Sequence, residues 1–247
     1  SAFTGDLERK HLPILRAPDL PKKVSFLMME STYGDRLHER IEFTTEKLLE
    51  IINKTYKRGG KIIIPSFALE RAQEIIFALK KLHDQKKIPE IPVYVDSPLT
   101  VKVTDVFKKH PECYDEELFK QLKNEHSPFD FKGLKYISSA DDSKRISALS
   151  HPCIVISANG MCEGGRILHH LIATIEDPKN SIIIVGYQAE HTLGRRIVEK
   201  QPEVKIYGKM YKLLAEVFDL NGFSGHADQN DLVDFALNVK KEGNLQK

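Results

Sequence analysis

Cys153-Ile154-Val155-Ile156-Ser157-Ala158-Asn159-Gly160-Met161, with Gly164-Gly165-Arg166 close behind, is the stretch that decides the fold. Its apolar run has no polar alternation, as expected of a strand buried on both faces of a parallel sheet. The polar, glycine-bearing turn after it suits the carboxyl end of that strand, and an amphipathic helix is expected next. The same order repeats outward in both directions. Residues 24–29, 62–64, 91–95, 134–137 and 182–185 are further short apolar runs.

Helical periodicity fills the gaps between these runs. Ile41, Leu48, Leu49, Ile52 and Tyr56 share one predicted face, and Ala68, Ala72, Ile75, Ile76 and Leu79 share another. Start signals agree: Ser97 stands before Pro98, Ser139 stands three residues before Asp142, and Asp228 precedes the periodic set Leu232, Phe235, Ala236 and Val239. Alternating strands and helices predict an α/β fold with a Rossmann-like, mainly parallel sheet, helices on both faces and right-handed crossovers. Residues 126–133, which include Pro128, are expected to form a long surface loop.

Length and composition narrow the class. A chain of 247 residues can bury a substantial core in one or two domains. Its 41% hydrophobic and 29% charged residues fit a soluble globular protein, and a net charge of +2 does not announce a polyanion partner. Lys80-Lys81 and Lys86-Lys87 are expected to be solvated helix ends. Cys113, Cys153 and Cys162 form no C-x-x-C pair, an odd count argues against a disulfide framework, and Cys153 is expected in the core. No apolar run approaches the roughly 20 residues that span a bilayer, and Ser1–Asp6 lacks a signal-like start. A cytoplasmic location and no membrane partner are therefore expected.

Chemistry is sought at the strand ends. Glu30-Ser31-Thr32-Tyr33-Gly34, Pro65-Ser66-Phe67-Ala68, Asp96-Ser97-Pro98, the 157–166 turn and Gly186-Tyr187-Gln188-Ala189-Glu190 each follow an apolar run. Glycine-rich turns that feed helices present backbone N–H groups to an anion, and Arg71, Arg166 and Arg195 are candidates for bidentate phosphate contacts. No turn is a Walker loop, and the G-x-G-x-x-G fingerprint is missing. Asp6, in Thr-Gly-Asp, is a candidate metal ligand, and His226, beside Asp228, a candidate proton shuttle. The ten histidines include no His-x-His pair, and His169-His170 would point different ways from a helix. The chain alone is not expected to assemble a dinuclear zinc site.

Seven motifs now stand in order: Thr-Gly-Asp (4–6), Glu-Ser-Thr-Tyr-Gly (30–34), Pro-Ser-Phe-Ala-x-x-Arg (65–71), Asp-Ser-Pro (96–98), Gly-Met-x-x-Gly-Gly-Arg (160–166), Gly-Tyr-Gln-Ala-Glu (186–190) and Gly-Phe-Ser-Gly-His-Ala-Asp (222–228). From end to end the set resembles the metallo-β-lactamase-fold β-CASP RNA-processing nucleases, the family of the mRNA 3′-end cleavage endonuclease and its bacterial and archaeal homologues. The resemblance implies that residues 1–34 and 208–247 are partial metallo-β-lactamase-fold elements around a β-CASP domain at 35–207. It matches Asp6 to a carboxylate bridging two zinc ions, Glu30 to an acidic motif, and His226 to a histidine that protonates the leaving group while bonded to that glutamate. Glu30 and His226 should therefore lie together. Single-stranded RNA is the implied substrate, clamped by backbone amides, by Arg71, Arg166 and Arg195, and by Ser66, Ser157, Gly160 and Tyr187 of the same turns. A homodimer is a further expectation.

The departures matter too. The family's His-x-His-x-Asp-His cluster and third-motif histidine would precede Ser1, and its last histidine would follow Lys247, so the chain is expected to be a region of a longer zinc-dependent ribonuclease and inactive alone. His191 stands where a small residue, often Gly, is expected. The alternatives are an inactive RNA-binding or scaffolding relative, a DNA-processing member of the family, and an unrelated α/β metabolic enzyme, whose cofactor fingerprint is missing.

Overall fold

The computed structural model describes residues 1–10, 12–122, 127–243 and 245. Two compact units divide the chain: one gathers Ser1–Glu39, Pro111–Glu125 and Ser224–Lys247, the other Arg40–His110 and His126–Phe223.

The larger unit is a doubly wound sheet. After α1 (Ile41–Lys57) come β3 (Ile62–Pro65), α2 (Arg71–Asp84), β4 (Val93–Asp96), α3 (Pro98–Lys109), β5 (Leu134–Ile137), α5 (Ala140–Ser147), β6 (Ile154–Ser157), α6 (Ile167–Ile172), β7 (Ser181–Ile184), α7 (Leu193–Val198) and, past a hairpin, β10 (Glu216–Asp219). All six strands run parallel in the order β10-β7-β3-β6-β4-β5. Ile63, Val155, Ile182, Ile184 and Val217 pack with Ile146, Ile167, Leu171 and Ile197 of α5, α6 and α7. The alternate residues Ile62, Ile64, Ile154, Ile156 and Ile183 point the other way and are equally buried, so the second face is covered too. Burying an isoleucine is worth about 1.5–3 kcal/mol, which is why uninterrupted Ile/Val runs fall in the middle of the sheet.

Three expectations are corrected. The 24–29 run does not enter the sheet; only Leu27–Met28 (β2) is strand, paired with Ala2–Phe3 (β1) in the other unit, and Phe26 and Met28 are exposed. On α1 the buried stripe is Thr44, Leu48, Ile51, Ile52 and Thr55, with Tyr56 outside, because a threonine whose hydroxyl is bonded inside the structure buries as readily as an apolar residue. His126 lies outside the described residues, and the rest of its expected surface loop is anchored: Phe129 is fully buried, edge-on to Phe107, and its carbonyl accepts the Tyr136 hydroxyl. The large compact unit extends to Phe223, since β10 pairs along β7 after the hairpin of β8 (Glu203–Ile206) and β9 (Lys209–Lys212).

The smaller unit holds β1, β2, α4 (Glu116–Leu122) and α8 (Gln229–Glu242). Asp228 caps α8 by accepting from the Asp231 amide. Its core is Leu7, Val24, Ala227, Leu232, Phe235 and Val239.

Candidate active site

Parallel pairing of β1 and β2 sets their carboxyl ends side by side, in register Ala2↔Leu27 and Phe3↔Met28. Gly5, in the left-handed region at φ +60°, turns the chain just past β1 and delivers Asp6; Glu30 follows β2. The loop before α8 is laced between these segments: the Ala227 amide donates to the Leu7 carbonyl at 2.7 Å, the Arg9 amide to the Gly225 carbonyl at 2.9 Å, and Tyr33 bridges Asp228.

This lacing brings His226 to Glu30 across 196 positions of sequence. Nδ1 of His226 lies 2.9 Å from Oε2 and 3.1 Å from Oε1, and since an ionised carboxylate only accepts, Nδ1 carries the hydrogen. The Leu7 amide also donates to Oε1. Burial alone would raise the Glu30 carboxyl, but the bonds from Leu7, Thr32 and His226 outweigh it and hold it below its ordinary value, so it stays ionised. The glutamate side chain is 8% exposed and the histidine 31%. With Nδ1 held, the second ring nitrogen, Nε2, is left for other work. Asp6 completes the cluster: one ligand atom each from Asp6, Glu30 and His226 lies within 4.8 Å of the others. Two carboxylates and an imidazole are a donor set that fits zinc, and among the described residues there is no second such cluster to hold another ion.

The other expected contact residues stand at the strand ends of the larger unit, and there they separate. Ser157 is buried and donates to the Asp96 carbonyl; Ser66 is buried and donates to the Phe67 carbonyl. Arg71 is buried against Glu74. Arg166 donates through Nη1 to Asp96 at 2.7 Å and through Nη2 to the Ser138 carbonyl at 2.7 Å. Gly160 meets the Phe67 ring so closely that an added Cβ would lie 2.9 Å from it. Tyr187 is exposed, and the side chain of Arg195 is 41% exposed and paired with Glu199. His191 takes φ +68°, the left-handed region, which accounts for the expectation of Gly there.

Sequence reasoning passed over two residues. His170 is buried, with Nε2 2.6 Å from Asp96 Oδ2 and Nδ1 3.1 Å from the Ser147 hydroxyl, while Ser143 donates to the same Asp96 oxygen. His38 lies beside Tyr33 and reaches the His226 loop. His170 was legible as the apolar-facing member of its helical pair; His38, one histidine in a polar loop, gave no signal.

A carboxylate-held imidazole lies beside Asp6 in one compact unit, and a doubly wound parallel sheet that ends in glycine-rich turns makes the other. Two family models match the chain: the Beta-Casp domain over residues 72–197, and the Zn-dependent metallo-hydrolase RNA specificity domain over residues 210–243. The first covers just over half of the sequence, and the chain belongs to the β-CASP family of metallo-β-lactamase-fold RNA-processing proteins. It is 38% identical over 233 residues to Ribonuclease TTHA0252 of Thermus thermophilus, covering 94% of this chain and 54% of that one. It is 33% identical to an RNase J-like protein of Methanocaldococcus jannaschii over 97% of this chain and 55% of that one. To the transcription termination factor FttA of Methanosarcina mazei it is 32% identical, over 96% of this chain and 39% of the relative. The chain thus spans about half the length, or less, of the relatives it matches.

Proposed function

We propose that this chain is part of a zinc-dependent ribonuclease that hydrolyses phosphodiester bonds of single-stranded RNA, with His226 as proton donor to the departing oxygen. The observation that carries the reading is the Glu30–His226 bond beside Asp6. Glu30 accepts a hydrogen bond from Nδ1–H and stays ionised, so Nε2, turned away from it, is the ring atom that can hand on a proton. From there a proton passes to the leaving oxygen, which would otherwise depart as a poor alkoxide. Asp6 is the residue that would hold metal, and zinc when bound supplies Lewis acidity at the phosphate. The RNA specificity model and the ribonuclease among the relatives support RNA as the substrate. Exposed Tyr187 and the cation of Arg195 follow the same strand of the sheet, a pairing of aromatic and basic residues that suits unpaired bases. The two-ion site is proposed for the whole protein only.

The test is His226→Ala in the full-length protein. Cleavage should fall about 10²–10⁴-fold with RNA affinity and zinc content preserved, and a substrate with a 3′-thio leaving group, which hardly needs a proton, should recover most of the loss. Equal loss on both substrates refutes the proton-donor role.

A further inference from the structure

Residues 33–38 fasten the loop that carries His226, and His38 does so twice. Its backbone N–H donates to Asp228 Oδ2 at 3.0 Å, and its ring Nε2 donates to the His226 carbonyl at 3.0 Å. Because the acceptor is a carbonyl, Nε2 must carry the hydrogen, and both the neutral Nε2–H tautomer and the imidazolium meet that demand. The ring is itself held. Buried Tyr33 lies against it with centroids 4.4 Å apart. The Gln229 amide, donating to the Arg36 carbonyl at 3.1 Å, ties the same two segments once more.

We infer that His38 is a positioning residue for His226. Glu30 holds the imidazole at one atom, Nδ1, which leaves the ring free to pivot about that contact if its backbone shifts. The His38 bond fixes the carbonyl on the other side of the same residue, and the two anchors together set where Nε2 points. Its kinetic consequence rests on the reading of His226 as proton donor; its geometry does not. A displacement of about 1 Å at a reacting group can cost about 10²-fold in rate, so the orientation is worth holding from both sides. A side-chain substitution makes a clean test, since the backbone bond to Asp228, and with it the cap of α8, survives it.

His38→Phe keeps a ring against Tyr33 and loses the donor; His38→Gln keeps an N–H donor at about the reach of Nε2. In this chain, long-range proton–nitrogen NMR spectra of the His226 ring should shift in the Phe variant and return in the Gln variant. In the full-length protein, His38→Phe should lower kcat about 10- to 100-fold with KM and melting temperature unchanged, Gln should restore it, and the loss should shrink on the 3′-thio substrate. Unchanged His226 spectra in the Phe variant overturn the proposal. So does an equal rate loss in both variants accompanied by a falling melting temperature. If the ring signals move and Gln restores them while cleavage of ordinary RNA stays constant, positioning stands and the proton-donor reading falls. Should His38→Phe fail to fold, His38→Asn, whose amide stops short of the carbonyl, takes its place with the same outcomes.

Discussion

Glu30–His226 and Asp96–His170 are the same two groups at much the same distance, 2.9 and 2.6 Å, one pair in each compact unit. Their surroundings differ in what is left over. Around Asp96, Ser143, His170 and Arg166 fill the carboxylate, Ser147 meets the far nitrogen of His170, and neither member of the pair is more than 1% exposed. Around Glu30, one ring nitrogen of His226 is held, the side chain is 31% exposed, and a further carboxylate stands close. A carboxylate–imidazole pair is thus a structural staple when every atom is satisfied inside the fold, and keeps an atom available for chemistry when only one ring nitrogen is held.

The largest contrast should come from cutting each carboxylate. Asp96→Ala strands the buried His170 and an arginine that is 21% exposed, and loss of one partner from such a network costs about 3–5 kcal/mol. Denaturant unfolding of this chain measures it; a loss under about 1 kcal/mol would mean that the network relaxes or hydrates. Glu30→Gln should behave oppositely. The amide oxygen can still accept from Leu7, so stability should change by no more than about 1 kcal/mol, while cleavage by the full-length protein should fall about 10²-fold as His226 loses its anionic anchor. Reversal of the two effects would break the contrast.

Much of this was legible in advance, for physical reasons. Continuous Ile/Val runs with polar turns behind them are the pattern of parallel strands and their carboxyl ends, so the sheet was readable from residues 62–64, 154–156 and 182–185. Asp6 and His226 stood out as a strand-end carboxylate and a histidine in a glycine-rich loop, and Glu30 through an ordered set of motifs that resembles a known family. What was hidden depends on where side chains turn. Nothing in the sequence says that Arg166 folds back onto Asp96, that Ser157 donates to a carbonyl, or that residues 24–29 make only two residues of strand. His38 was hidden because its work is done through one ring hydrogen on a neighbour distant in sequence.

Acid should sharpen the comparison by a smaller amount. Glu30 is held below its ordinary value of 4.5 and Asp96 below 3.8, in each case because hydrogen bonds outweigh burial. A depressed carboxyl contributes stability in full above its unfolded value and loses it as pH falls through its folded value. The stability gap between wild type and Asp96→Asn should therefore be constant from pH 7 to about 5 and close below about 4, whereas the gap for Glu30→Gln, set by the higher ordinary value, should begin to close first. Urea midpoints at stepped pH values read both; a gap that widens toward low pH has the wrong sign for a depressed carboxyl.

The smallest effect separates the arginines of the larger unit. Arg71 and Arg166 have their guanidinium groups turned onto Glu74 and Asp96, but Arg195 is exposed and its partner Glu199 lies one helical turn on, at 2.6 Å in solvent. An exposed pair of this kind exchanges readily for a phosphate, because water screens what it holds. If Arg195 contacts the RNA backbone, Arg195→Gln should weaken binding alike for all sequences and lower the slope of log K against log salt by about 0.7, the contribution of one phosphate contact on a single strand. Arg166→Gln, by contrast, should reduce folding stability and leave that slope nearly unchanged, since its nitrogens already have partners. Salt titrations of a fluorescent single-stranded RNA with the full-length protein distinguish the two. If the slope falls for Arg166 and not for Arg195, the division between inward and outward arginines drawn from their hydrogen bonds is wrong, and the RNA path crosses the 157–166 turn instead.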